Sequence, residues 1–350
     1  MNQPSLDVPG QPRQTGPEAA DERARLSYRL RGGAKTTNRW WTRYAVVLVL
    51  IVMAVIFSIT NSTTFPTVAN FQIVFGSNSV TMLLALASLP PLISGDFDLS
   101  VGYNLELSAV LLAVLTGEHH ISLGLAILIT LGLGALVGLV NGILITRIGI
   151  SSFIATIGVG SVLSGISLYL TNGNVLIQGI PHSLETFAQD NAAGVPDIVW
   201  MAAIIAVVFW IAFEHTPYGR RSLAIGLSPR SAQLLGMRVA NLRTTAFVIS
   251  GLMSAIAGVI ELGYVGSVSS GVGPSFLLPA VAAGFLGATT IKVGRFNVVG
   301  TVIAVILVAI GVSGLELNGV PNWVEPVFDG AVLVIAVGSS RLIARRAERT

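Results

Sequence analysis

The chain of 350 residues contains no cysteine, which excludes disulfides, thiolate metal sites and a cysteine nucleophile together. Charge is nearly as scarce. Asp, Glu, Lys and Arg make up 11% of the residues and hydrophobic types 53%, where an ordinary soluble domain carries roughly 25% charge, so a water-soluble globular protein is excluded. Histidine is confined to His119, His120, His182 and His215. None forms an HExxH pair or recurs with a carboxylate at ligand spacing, so no metal site is expected. A nucleotide loop is missing as well: in Gly32-Gly33-Ala34-Lys35-Thr36, Ala34 stands where that loop needs glycine before lysine, and Arg29 where it needs another. No nucleophile and base pair suggests catalysis, and no early apolar core followed by a small-residue cleavage site suggests a removable leader.

What the chain does have is apolar length. Ten segments approach the length that ~30 Å of hydrocarbon demands of a helix. They run from Tyr44 to Ile59, Ser79 to Ser94, Leu99 to Thr116, Ser122 to Ile145, Ser152 to Thr171, Ile198 to Phe213, Thr244 to Leu262, Phe276 to Ile291, Asn297 to Leu315 and Val324 to Gly338. Pro90-Pro91, Pro279 and several glycines interrupt them. Residues 1–43 hold too little apolar surface to fold alone and read as a flexible cytoplasmic tail, with Trp40 and Trp41 as interfacial anchors at its end. Residues 341–350 read as a second cytoplasmic tail, leaving 44–340 as the transmembrane domain.

Threading the ten spans alternately from an internal N-terminus puts all 20 Lys and Arg residues on the cytoplasmic side and none in the five outer connections. That sorting satisfies the positive-inside rule and places both termini inside. Spans two to five then begin outside and spans seven to ten begin inside, the topology of an inverted repeat suited to alternating access. The expectation is an all-α integral membrane protein of ten helices.

Between spans six and seven lies a basic stretch, residues 214–243. Within it, Ser228 and Pro229 mark a helix start, because the serine oxygen can accept an orphan amide and proline has none to offer; Gly236 suits the stop. It reads either as a solvated loop or as a docking element for a separate motor. Asp96 and Asp98, next to Gly95, read as caps of the following helix. Glu106 falls in mid-span, where an acid costs roughly 2 to 3 kcal/mol, so it should face protein or a water-filled path. Span five carries Phe153, Thr156, Gly160, Ser164, Ser167 and Thr171 at steps of three and four, a stripe that either lines a pathway or lets a helix approach closely. Glu106, Phe153, Thr156, Gly160 and Ser164 are the candidate pathway residues, with Phe153 as a possible gate.

Four motifs in order resemble the ribose and branched-chain amino acid type of ABC importer permease, closest to its monosaccharide branch. Gly95-Asp96-Phe97-Asp98-Leu99-Ser100-Val101-Gly102 resembles the family's GGIDLSVG, departing at Asp96 and Phe97. Val140-Asn141-Gly142 and Ile150-Ser151-Ser152-Phe153-Ile154-Ala155-Thr156-Ile157-Gly158 are similar to VNG and IPPFIATLG. Tyr218-Gly219-Arg220, then Ser231-Ala232-Gln233-Leu234-Leu235-Gly236, resemble the coupling loop EAARLSG. Phe285-Leu286-Gly287-Ala288-Thr289, Gly294-Arg295 and Gly300-Thr301 match the last signature. Pro229 and Arg230 stand where acidic residues commonly precede the alanine pair, and Pro279 where relatives often carry Asp.

The resemblance implies a bacterial inner-membrane permease subunit, probing no chemistry of its own, that translocates a monosaccharide or related small polar solute. ATP-binding subunits would dock on a coupling helix containing Ser228, Pro229, Arg230, Ser231, Ala232 and Gly236. A solute-binding protein would deliver cargo, a second permease copy would complete the pathway, and this chain would hold no cofactor because ATP is bound by the partner. Two rival readings remain open: a branched-chain amino acid permease of the same superfamily, and an ion-coupled secondary transporter using Glu106 as its proton site.

Overall fold

A computed structural model describes residues 39–348 apart from residue 322. Of the expected N-terminal tail, residues 1–38 lie outside the described residues; the rest already belongs to the first helix. Thirteen helices follow one another. The first five are α1 (Arg39–Thr60), α2 (Val68–Ile93), α3 (Val101–Gly117), α4 (Leu123–Ile143) and α5 (Ser152–Thr171). Then come α6 (His182–Gln189), α7 (Asp197–Trp210), α8 (Pro217–Leu227) and α9 (Pro229–Leu234). The last four are α10 (Val239–Val265), α11 (Gly273–Gly287), α12 (Val298–Leu317) and α13 (Val324–Glu348).

The ten expected spans correspond to α1 to α5, α7 and α10 to α13. Seven of these are long and apolar enough to cross a membrane, and α3 and α11 are shorter apolar helices. Several boundaries move. α2 begins at Val68 rather than Ser79, capped by Thr67, whose Oγ1 accepts the Asn70 amide at 3.2 Å. α10 begins at Val239 rather than Thr244, so the end of the basic stretch is already helical. The helix containing Pro279 starts at Gly273 and stops at Gly287, short of Ile291. Pro90 and Pro91 do not break α2, because they sit in its last turn; there Ser94 Oγ donates to the Pro90 and Pro91 carbonyls at 2.9 and 3.0 Å. α13 continues to Glu348, through most of the expected C-terminal tail.

α2 and α10 run antiparallel along the centre. Gly76 near the start of α2 lies against the Tyr264 ring near the end of α10, and Asp96 just beyond α2 pairs with Arg243 near the start of α10. Around them the main helix pairings recur when the halves are exchanged. α10 packs on α3 and α4 as α2 packs on α11 and α12, and α3 packs on α5 as α11 does on α13. That is the relation an inverted repeat requires.

Close approach is bought in one place by glycine: Gly134, Gly138 and Gly142 of α4 face Gly251, Phe247 and Thr244 of α10, and a Cβ on Gly138 would strike the Phe247 carbonyl. α3 and α11 touch near their N-termini, where Gly102 meets the Gly273 backbone. α2 and α10 end at opposite ends of the bundle, so residues 94–100 and 266–272 must each fold back into it without helical structure before α3 and α11 begin. Non-helical backbone at membrane depth is tolerated only where protein satisfies its polar groups. At the end of the bundle that holds Tyr264, the long connection after α5 is not featureless: α6 packs Leu184 and Ala188 on Gly263, and Leu176 bridges to Val268.

Candidate functional site

The basic stretch folds as two helices rather than one. Pro217 opens α8 directly after the Thr216 cap position. Gly226 of α8 rests on the Ile93 carbonyl and Gly95 at the end of α2, so a side chain there would collide with backbone. α9 begins as expected: Ser228 Oγ accepts the Ser231 amide at 3.3 Å and donates to Ser231 Oγ at 2.8 Å, with Pro229 in the first helical position. It also stops as expected. Gly236 has φ +78°, its amide reaches the Gln233 carbonyl at 2.9 Å, and the Met237 amide reaches Ala232 at 3.1 Å. These two bonds make a Schellman stop.

Ala232 is buried with Ile225 and Val239 beneath α9, while Arg230, Ser231 and Gly236 are exposed. So are Leu227, Leu234 and Leu235, at 70%, 84% and 77% of their surface. Three exposed leucines in a stretch that also exposes Arg220, Arg221, Arg230 and Arg238 give this end of the bundle an apolar surface with cations beside it. The leucines went unnoticed in the sequence, although a Leu-Leu pair in a polar connection is a readable signal for a covered surface.

Beneath this face, the segment 94–100 is held by a buried polar network. Arg243 donates from Nε and Nη2 to the two Asp96 oxygens at 2.6 and 2.5 Å, so Asp96 is an ion-pair partner and not the helix cap expected of it. Asp98 does serve the entrance to α3, accepting from the Ser100 amide at 3.0 Å and its hydroxyl at 2.6 Å, and from Ser250 Oγ at 2.7 Å. Asn141 donates to Ser100 Oγ at 2.8 Å, and Asn104 to the Gly251 carbonyl at 2.9 Å. On the cytoplasmic rim of the expected topology, Lys292 pairs with Glu214 at 2.7 Å, tying the turn after α11 to the end of α7.

The five candidate pathway residues are not brought together. Thr156 and Gly160 face α3: Thr156 Oγ1 accepts the Leu99 amide at 3.1 Å, and Gly160 lies against the Tyr103 ring. Ser164 is half-buried on the same helix, and Phe153 is 54% exposed on another face. Glu106 is fully buried, and its Oε2 accepts the Gly273 amide at 3.0 Å, at the positive end of α11. Within the stripe on α5, Thr156 therefore satisfies the non-helical segment and Gly160 gives α3 room, and Glu106 joins the two halves where α3 meets α11. Thr156→Val should orphan the Leu99 amide and cost about 1 to 3 kcal/mol; chemical unfolding in detergent against Thr156→Ser measures it, and equal stability of the two variants would contradict the role.

Nine apolar helices among the described residues, with α2 to α5 and α10 to α13 exchangeable as two halves and a capped helix at one end, fit a polytopic membrane permease. Residues 70–337 match the family described as branched-chain amino acid transport system / permease component, and the chain belongs to it. It is 30% identical over 308 residues to the autoinducer 2 import system permease protein LsrD of Photorhabdus temperata, covering 86% of this chain and 91% of that one. Against LsrD of Escherichia coli strain K12 the identity is 34% over 307 residues, covering 85% and 92%. A solved metal-chelate type ABC transporter in an inward-facing conformation shares 15% identity and a TM-score of 0.47 over 85% of this chain and 98% of that one, too distant to carry an argument.

Proposed function

We propose that the chain is the permease subunit of an ATP-driven importer for a monosaccharide or related small polar solute. Separate ATP-binding subunits seat on the face of α9, a solute-binding protein delivers cargo at the opposite end, and a second permease copy completes the pathway. Both termini lie in the cytoplasm. The observation that carries this reading is the set of exposed leucines, Leu227 at the end of α8 and Leu234 and Leu235 at the end of α9, on a helix pair whose first member, α8, is braced against the end of α2 through Gly226. A capped helix with its apolar side turned to water is built to be covered, and its bracing gives a partner's motion a route into the bundle. The pathway itself needs only weak binding, since a ligand that favours both access states equally shifts neither.

The test is solute uptake by proteoliposomes holding the permease with its ATP-binding and solute-binding partners. Uptake should stop when nucleotide is omitted and survive a protonophore; the reverse pattern would select an ion-coupled transporter. Within that assay, Gly236→Trp should cut uptake by at least about tenfold. No atom lies within 4 Å of a Cβ at Gly236, so inside this chain the substitution costs only about 1 to 2 kcal/mol of left-handed strain, while the bulk falls on the docking face. Full uptake by a well-inserted Gly236→Trp permease would remove α9 from the coupling role.

A further inference from the structure

The inverted repeat places two equivalent positions on either side of its axis, and they are filled differently. In the first, the early turns of α10, α3 and α5 and the late turns of α4 surround residues 94–100. There Asp98 is bonded to Ser100 and Ser250, Asn141 to Ser100, and Thr156 to the Leu99 amide. In the second, the early turns of α2, α11 and α13 and the late turns of α12 surround a cavity of about 500 Å³. The segment that would plug it, 266–272, instead pairs Val268 with Leu176. That volume falls within the usual range of small-molecule sites.

The cavity lining mixes polar and apolar side chains in nearly equal number and, in charge, is purely acidic. Asn78 and Thr81 come from α2, Ser275 from α11, Glu316 from α12, and Glu325 and Asp329 from α13, with Phe276 supplying one ring face. Among the described residues, Lys, Arg and His are absent from the lining. Asp329 carries a separate signal: it is 6% exposed, and its Oδ1 has no hydrogen-bond partner among the described residues. A buried carboxylate oxygen left bare is costly unless something hydrogen-bonds to it. In the other half, on the early turns of α5, Thr156 uses its oxygen on backbone.

Resting on the importer reading, we propose that this cavity is a weak solute site within a single permease copy, selective for a neutral polyhydroxylated molecule. Hydroxyl donors satisfy Asp329, Glu316 and the amide oxygen of Asn78, and the apolar face of the solute lies on Phe276. Phosphorylated or carboxylated solutes are repelled, because no cation lines the wall. The cavity opens at the end of the bundle away from α9, near the start of α2 and the Tyr264 end of α10, where a delivered solute would arrive.

The absence of native cysteine makes the test direct. Asn78→Cys and, separately, Ser275→Cys permeases are assembled with their partner subunits in proteoliposomes. Each is treated from outside with a cationic and an anionic methanethiosulfonate of similar size, both membrane-impermeant. The preference for the cation, relative to the same two reagents on free mercaptoethanol, should be at least about fivefold, and Asp329→Asn should reduce it. One or more of D-ribose, D-xylose and D-galactose at about 100 mM should slow labelling, as millimolar affinity requires, while phosphorylated ribose should not. Failure of both cysteines to label, a free-thiol charge ratio, protection by none of the three sugars, or equal protection by phosphorylated ribose would overturn the assignment. If ATP-dependent uptake persists in any of those cases, the importer reading stands and the cavity alone falls; uptake indifferent to nucleotide would instead remove the reading beneath both.

Discussion

Asp96→Ala is expected to lower the stability of the permease by about 3 to 5 kcal/mol, the usual consequence of removing one member of a buried ion pair. The side chain of Asp96 is 5% exposed and that of Arg243 26%, so the abandoned guanidinium cannot fully recover its hydration. The pair is two-pronged, which fixes direction as well as distance. It joins the non-helical segment after α2 to the first turns of α10, across 147 positions of sequence. Arg243→Lys should also weaken it, because a point charge cannot reproduce two parallel bonds. Removing both charges, as Asp96→Asn with Arg243→Gln, should cost less than the two single losses added together, since neither partner then remains buried and bare. Chemical unfolding of wild type, Asp96→Asn, Arg243→Gln and the double variant in detergent closes the cycle, and strict additivity would show that the two side chains act independently.

The pair also locates where sequence reasoning loses its grip. The order of the apolar spans was legible, because hydrocarbon thickness imposes a length and charge imposes a side, and both are local properties of the chain. The start of α2 was not. Residues 68–78 mix Asn70, Gln72, Gly76, Ser77 and Asn78 with apolar ones, and such a stretch looks like an outer loop until tertiary packing buries one side of it. α8 escaped for a related reason: Gly219 and Gly226 depress the local helical signal and Arg220 and Arg221 break its apolar pattern, although Pro217 marks its start and Gly226 is needed for its seat on α2.

Asp96 illustrates a second limit. A carboxylate before a helix is most simply read as a cap, and Asp98 two residues later does that work, but no local rule assigns Asp96 to an arginine on another helix. The stripe on α5 allowed two readings from spacing alone. Its Thr156 and Gly160 face α3, where the non-helical segment needs an acceptor and space. The capped ends of α9 were fully legible, since Ser228, Pro229 and Gly236 act within one turn of themselves. The exposed leucines between them gain meaning only once the surrounding surface is known.

Replacing those leucines gives the largest expected functional loss. Leu234→Asp together with Leu235→Asp should reduce ATP-driven uptake by at least about a hundredfold while leaving the permease folded. Both side chains are mostly exposed, at 84% and 77%, so the bundle loses almost no packing when they change. If each is covered in the docked complex, its burial contributes about 1.5 to 3 kcal/mol, and the pair together about 3 to 6 kcal/mol, equivalent to a factor of roughly 10² to 10⁴ in affinity. Carboxylates on a surface with Arg220, Arg221, Arg230 and Arg238 beside it add an attraction within this chain that competes with a partner for those cations. Ala232→Asp is the informative contrast: Ala232 is 2% exposed beneath α9, so that change should unfold the local helix pair and lower protein yield as well as uptake. The two effects separate by measuring detergent-extracted yield, co-purification of the ATP-binding subunit and uptake on the same preparations. Loss of uptake with the ATP-binding subunit still bound at wild-type stoichiometry would place the leucines in transmission of the stroke, whereas undiminished uptake by the double variant would remove this face from the docking surface altogether.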